Sequence, residues 1–132
     1  MLGYKERLQQ NSGVMVCEER EIEISAGFAE SLIRRGIMQH EINDILKTDF
    51  YEVLTCEGKM NTYRTTFEFM DWRFELDKNV YLDITDYELE CESENMQELS
   101  KLQNYLVYRF GIVPRASSPK SQRFFEAKNA KV

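Results

Sequence analysis

Glu88, Glu90 and Glu92 stand at alternate positions, and their carboxylates are the groups in this chain best placed to do chemistry. In a strand they share one face, opposite Tyr87, Leu89 and Cys91. An earlier segment is built the same way, with Trp72, Phe74 and Leu76 alternating with Arg73, Glu75 and Asp77. Like charges in one row of a sheet repel. Such a row therefore needs a cation, either a metal ion or basic side chains from another strand, unless it is simply a solvated acidic face. Carboxylates at i, i+2 and i+4 suit Mg²⁺ or Mn²⁺, hard cations that take oxygen ligands and keep waters in their remaining positions. Arg64 belongs with these acids. The other face of its strand carries Tyr63, Thr65, Phe67 and Phe69, which sends Arg64, Thr66 and Glu68 into the polar interior.

The elements that must position these side chains fall in the order strands, helices, strands, helices. Segments 3–8 and 14–24 are extended, separated by a turn-forming cluster at 9–13. Ser25 caps a helix through Arg35 with Phe28, Leu32 and Ile33 on one face and Gly36 as terminator, and a short helix over 39–46 carries Ile42, Ile45 and Leu46. Strands are expected over 51–55, 62–70, 72–77, 80–84 and 87–92, an antiparallel meander with turns at 57–59 and 78–79. Asn95 and Glu98 form a capping box for a helix with Met96, Leu99, Leu102, Leu106 and Phe110 in its buried stripe, ended by Gly111. Pro114 and Pro119 frame a Ser-rich connector before a last helix over 120–128.

Composition narrows the partners. At 132 residues the chain fits one domain, expected over 1–132. A net charge of −6 and a pI near 4.9 argue against nucleic acid and against an anionic membrane surface. No apolar run approaches the roughly 20 residues of a membrane span, and no basic segment leads into an apolar stretch at the N-terminus. Cys17, Cys56 and Cys91 have no metal-ligand spacing and suit reduced, small buried side chains, so a cytoplasmic location is expected. His40, the only histidine, offers little to a zinc site or a Ser-His-Asp triad and reads as a surface residue.

Asp77, then Tyr81-Leu82-Asp83, then Asp86-Tyr87-Glu88-Leu89-Glu90, a helix, Ile112-Val113-Pro114 and Lys120-Ser121-Gln122-Arg123-Phe124-Phe125 resemble the second half of the CYTH family, the triphosphate tunnel metalloenzymes. Upstream, Leu2-Gly3-Tyr4-Lys5-Glu6 is similar to the family's central lysine strand. Glu19-Arg20-Glu21-Ile22-Glu23 is similar to the acidic strand that follows it, with an inward row at Glu19, Glu21 and Glu23. The motifs occur in family order over nearly the whole chain, and the small CYTH proteins of Gram-positive bacteria look nearest. The resemblance implies an α+β fold, an antiparallel β-tunnel or barrel with flanking helices, whose interior carboxylates hold a divalent metal and whose basic residues grip a triphosphate.

Two departures qualify it. The family opens with a Glu-x-Glu-x-Lys strand, and this chain starts about a third of the way into the pattern, so an N-terminally incomplete domain is expected. Reading Glu21-Ile22-Glu23-Ile24-Ser25 as that strand puts Ser25 where lysine belongs and breaks the downstream order. Cys17 stands where the family often has an inward arginine. Phosphoryl transfer depends on positioning and on electrostatic stabilisation by metal and by Lys or Arg, so both losses weaken the grip on substrate. The expected metal ligands are Glu19, Glu21, Asp77, Glu88 and Glu90, and the expected basic residues are Lys5, Arg64, Arg73, Lys120 and Arg123. The implied function is binding, with possible hydrolysis, of an inorganic or organic triphosphate with Mg²⁺ or Mn²⁺, ahead of adenylate cyclase chemistry. The alternative is an inactive binding or assembly module in which Glu and Arg rows neutralise one another. Unpaired strand edges lead us to expect a homodimer.

Overall fold

The structure is a computed structural model that describes residues 1–11, 14–49 and 51–131. The chain divides into two compact units, Met1–Gly58 and Lys59–Val132.

The first unit is a hairpin followed by two helices. β1 (Leu2–Asn11) and β2 (Val14–Ile22) pair antiparallel, with a register shift between Arg7 and Gln9. β1 runs three residues further than the pattern suggested; of the turn cluster, Ser12 and Gly13 lie outside the described residues. α1 (Ala26–Arg35) starts where Ser25 Oγ accepts the Phe28 N–H at 3.2 Å. It ends at Gly36, whose φ of +83° and close approach to the Leu54 carbonyl exclude a side chain, since a Cβ would sit 2.9 Å from that oxygen. α2 (Gln39–Leu46) follows. Leu32, Ile42 and Leu46 are buried, whereas Ile33, expected beside Leu32, is exposed. The strand expected over 51–55 does not form. Only Leu54 pairs, through two backbone bonds to Ile37, and Tyr51 and Val53 stay in solvent.

The second unit carries the meander. β3 (Met60–Phe69), β4 (Trp72–Tyr81) and β5 (Ile84–Cys91) form an antiparallel sheet in that order. The turn expected at 78–79 is absent, and Lys78 and Asn79 lie inside one continuous strand. Asn79, ordinarily a turn former, is held there because its side chain is fully buried and hydrogen-bonded on both sides, to Thr62 and Asp86. The chain instead reverses at Leu82 and Asp83.

Period-two alternation then gives the sheet two unlike faces. On one, Phe67 and Phe74 stack with centroids 5.4 Å apart, and Phe69 meets Tyr105 and Phe110 of α3 (Met96–Phe110). Asn95 caps α3 by accepting the Gln97 and Glu98 N–H groups, and Gly111 ends it in the left-handed region. Leu102 is the stripe residue that becomes buried, while Met96 and Phe110 at the helix ends stay half exposed. The other face is polar, with α4 (Lys120–Ala130) against it through the Tyr81–Phe124 ring contact.

The architecture is thus α+β, with antiparallel sheets and four helices. Among the described residues the strands pair into a two-stranded and a three-stranded sheet, and no closed barrel forms.

Candidate functional site

The polar face of the three-stranded sheet gathers six of the ten expected site residues. β4 contributes Asp77, with Glu75 and Asn79 in the same row. Opposite them β5 presents Glu90, Glu88 and Asp86, in the register Glu75 to Glu90, Asp77 to Glu88 and Asn79 to Asp86. Carboxylates thus face carboxylates across two strands, the arrangement that needs positive charge.

Three cations supply it. Arg64 on β3 lies opposite Asp77 and grips it with two hydrogen bonds, Nε to Oδ1 at 2.7 Å and Nη2 to Oδ2 at 2.8 Å. The same guanidinium pairs with Glu75 and lies 3.5 Å from Glu90. Lys120, in the first turn of α4, places Nζ 2.5 Å from Asp77, 3.7 Å from Glu88 and 4.0 Å from Glu90. Arg123, one turn on, donates to Glu88 Oε2 at 3.0 Å, to Ser117 Oγ and the Ser118 carbonyl at 2.9 Å each, and its Nε lies 3.2 Å from Asp86 Oδ2.

These contacts set the charges. Asp77 has no solvent exposure, yet the hydrogen bonds from Arg64 hold its carboxyl well below the usual range against the opposing effect of burial. Arg64 is raised by Asp77, and Arg123 by Glu88. Glu90 shifts the other way: burial pushes its carboxyl up, with Glu88 and Asp77 adding repulsion. Its cations, at 3.5 and 4.0 Å, stand too far off to offset this.

The remaining expected residues lie outside this cluster. Arg73 stands at the margin of the same face, 70 % exposed and 3.9 Å from Glu75, so it is largely solvated. Lys5 pairs with Glu19 across the β1–β2 hairpin of the first unit, and Glu21 faces Gly3 there. The row read as Glu88, Glu90 and Glu92 is in fact Asp86, Glu88 and Glu90, because β5 starts earlier and ends before Glu92. Asp86 and Glu75 escaped the list of expected ligands although both fit the alternation. Asn79, Thr62 and Tyr81 gave no chemical signal, yet they build the chain Thr62 to Asn79 to Asp86, on which the Tyr81 hydroxyl also closes at 2.8 Å.

A family model for the CYTH domain matches residues 3–125. The chain belongs to the CYTH domain family. Searches of curated proteins and of solved structures give no match. CYTH domains are triphosphate-binding proteins of the tunnel fold that generally use divalent metals. Asp77, Glu88 and Glu90 carry hard oxygen atoms of the kind such a metal takes. Among the described residues, however, no three acidic, imidazole or thiol groups are arranged to hold a metal as they lie. Lys120 occupies the middle of the acidic group.

Proposed function

We propose that this CYTH domain binds a triphosphate, inorganic or organic, together with Mg²⁺ or Mn²⁺, and hydrolyses it slowly if at all. The observation that supports this reading is the interleaving of Asp77, Glu88 and Glu90 with Arg64, Lys120 and Arg123 on one sheet face. A bound divalent cation would neutralise phosphoryl charge and polarise the phosphorus centre. Arg123 would orient a phosphate through its guanidinium fork, with Asp86 and Ser117 fixing its plane. Lys120 would add a point charge from the N-terminal end of α4, where the helix dipole also favours anions. Arg64 is committed to Asp77 and would act by holding that ligand in place. Glu19, Glu21 and Lys5, on the β1–β2 hairpin, belong to this proposal as further charged groups of both signs, and the proposal includes a cytoplasmic location and a homodimer.

Titration calorimetry with tripolyphosphate and Mg²⁺, beside a phosphate-release assay, tests it. Micromolar binding that is lost in Arg123→Met supports the reading; no heat in either metal condition refutes it.

A second reading has its own observation. Arg64, Lys120 and Arg123 are each ion-paired to carboxylates of the same face, as a structural network in an inactive binding or assembly module would be. Under that reading tripolyphosphate and metal leave the melting curve unmoved.

A further inference from the structure

β3 is an outer strand that lacks the protection such strands usually carry. It runs ten residues with an unbroken register against β4, contains no lysine, proline or glycine, and is exposed at every position from Asn61 to Glu68. Natural sheets blunt an edge with lysine, proline, a bulge or a short strand, because its free N–H and C=O groups template another strand. The charges of β3 also complement themselves. On its polar face Arg64 and Glu68 stand at equal distances either side of Thr66. A two-fold axis through Thr66 therefore sets each of them opposite the other in an antiparallel pair. The other outer strands carry rows of one sign, Lys5 with Arg7 on β1, Glu19 with Glu21 on β2 and Asp86 with Glu88 and Glu90 on β5. Such a row meets only like charge or none across a two-fold axis, and like charges directly opposite are destabilising. β1 is further broken by its shift between Arg7 and Gln9.

We infer that a second copy of this chain docks along β3, antiparallel, in the register that places Thr66 on Thr66. Arg64 then lies opposite Glu68 of the second copy, twice over by symmetry, and opposite charges at directly paired positions stabilise a ladder. Glu68 forms no ion pair among the described residues; Arg73, its neighbour on β4, lies 3.9 Å from Glu75. Arg64 keeps 40 % of its side chain exposed. On the apolar face the same register sets Thr65 opposite Phe67, and Tyr63 opposite Phe69, of the second copy. These pairings draw Tyr63 and Phe67, now 62 % and 43 % exposed, away from water. The neighbouring registers are poorer. Centring on Arg64 sets two guanidiniums against each other, and centring on Thr65 leaves Glu68 opposite Thr62. The homodimer belongs to the proposed function and this inference rests on it; the edge, the register and the second copy's acid beside the residue that holds Asp77 are what it adds.

Cysteine cross-linking of the whole chain tests the register, in a Cys56→Ser background that removes the exposed native thiol. Residues directly opposed in an antiparallel pair have Cα atoms about 4.5–5.5 Å apart, inside the range of roughly 4.4–6.8 Å that a disulfide spans. Thr66→Cys is therefore expected to oxidise to a covalent dimer at micromolar concentration. Asn61→Cys, also exposed on β3, is displaced from its own counterpart by ~33 Å along the strand and is expected to stay monomeric on a denaturing gel. Glu68→Lys, which turns a like charge on Arg64, is expected to raise the dimer dissociation constant about tenfold in sedimentation equilibrium. A wild-type dimer that Thr66→Cys does not lock, or that Asn61→Cys locks equally, overturns the inference and leaves the homodimer to another surface; so does an unchanged dissociation constant in Glu68→Lys. A wild-type monomer at micromolar concentration overturns both the edge and the homodimer. None of these results touches triphosphate binding, which calorimetry reads separately.

Discussion

Arg64 and Asp77 form a two-pronged ion pair across the β3–β4 strands, in which the carboxylate is fully buried and the guanidinium side chain is 40 % exposed. Breaking a buried pair by removing one partner costs roughly 3–5 kcal/mol, because the other charge is left uncompensated. Solvent reaches Arg64, and Lys120 still touches Asp77, so the lower end applies. Arg64→Met is expected to destabilise the domain by about 3 kcal/mol in urea unfolding. Asp77→Asn is expected to cost less, since it leaves a neutral group where the charge was; equal losses in the two variants would refute the pairing.

The same pair sets the acid limb of stability. Asp77 has its carboxyl depressed from the ordinary 3.8, and Glu41, held by Arg35 and the Met38 N–H, is depressed from 4.5 to about 2. A carboxyl whose folded pKa lies below its unfolded one contributes stability that is fully present above the unfolded value and is lost as pH falls through the folded value. Stability is therefore expected to start falling below about pH 4.5 and to keep falling past pH 2. Asp77→Asn and Glu41→Gln should each flatten part of that fall, a result that urea melts between pH 2 and 6 can read.

Much of this site was legible as alternation. Asp77, Glu88 and Glu90 on one side and Arg64 on the other follow from period-two patterning, because a sheet face is fixed by parity once the strands are placed. Strand ends were harder. Asn79 has turn propensity, and its place in β4 depends on Thr62 and Asp86, partners 17 and 7 residues away that no local pattern reveals. Misplacing that turn also hid Asp86, the first carboxylate of the real row. Lys120 and Arg123 were marked by family order; their approach to the acids depends on how α4 docks through Phe124 on Tyr81, a long-range packing event.

Metal should stabilise the fold. A ligand that binds only the native state adds about 2.7 kcal/mol at 100 times its dissociation constant, so millimolar Mg²⁺ or Mn²⁺ is expected to raise the melting temperature by several degrees. Glu90→Gln should reduce that shift while costing little in metal-free buffer, because burial already disfavours the Glu90 charge. A variant that loses stability equally with and without metal would mark Glu90 as part of a structural network only.

Strand edges lead to a final expectation, self-association. In the order β3-β4-β5, both outer strands keep an edge without a strand partner among the described residues, and the β1–β2 hairpin does likewise. Such edges present unpaired N–H and C=O groups that template pairing with another chain. The apolar face of the same sheet leaves Tyr63, Phe67, Leu76 and Leu89 between 42 % and 62 % exposed, a cluster that association would remove from water. Two copies joined edge to edge would satisfy the backbone groups and cover these side chains together. Light scattering during gel filtration at micromolar concentration should therefore return twice the 15.7 kDa chain mass. A cooperative monomer whose melting temperature does not change with concentration would show that the chain protects its own edges, and the homodimer would have to be abandoned.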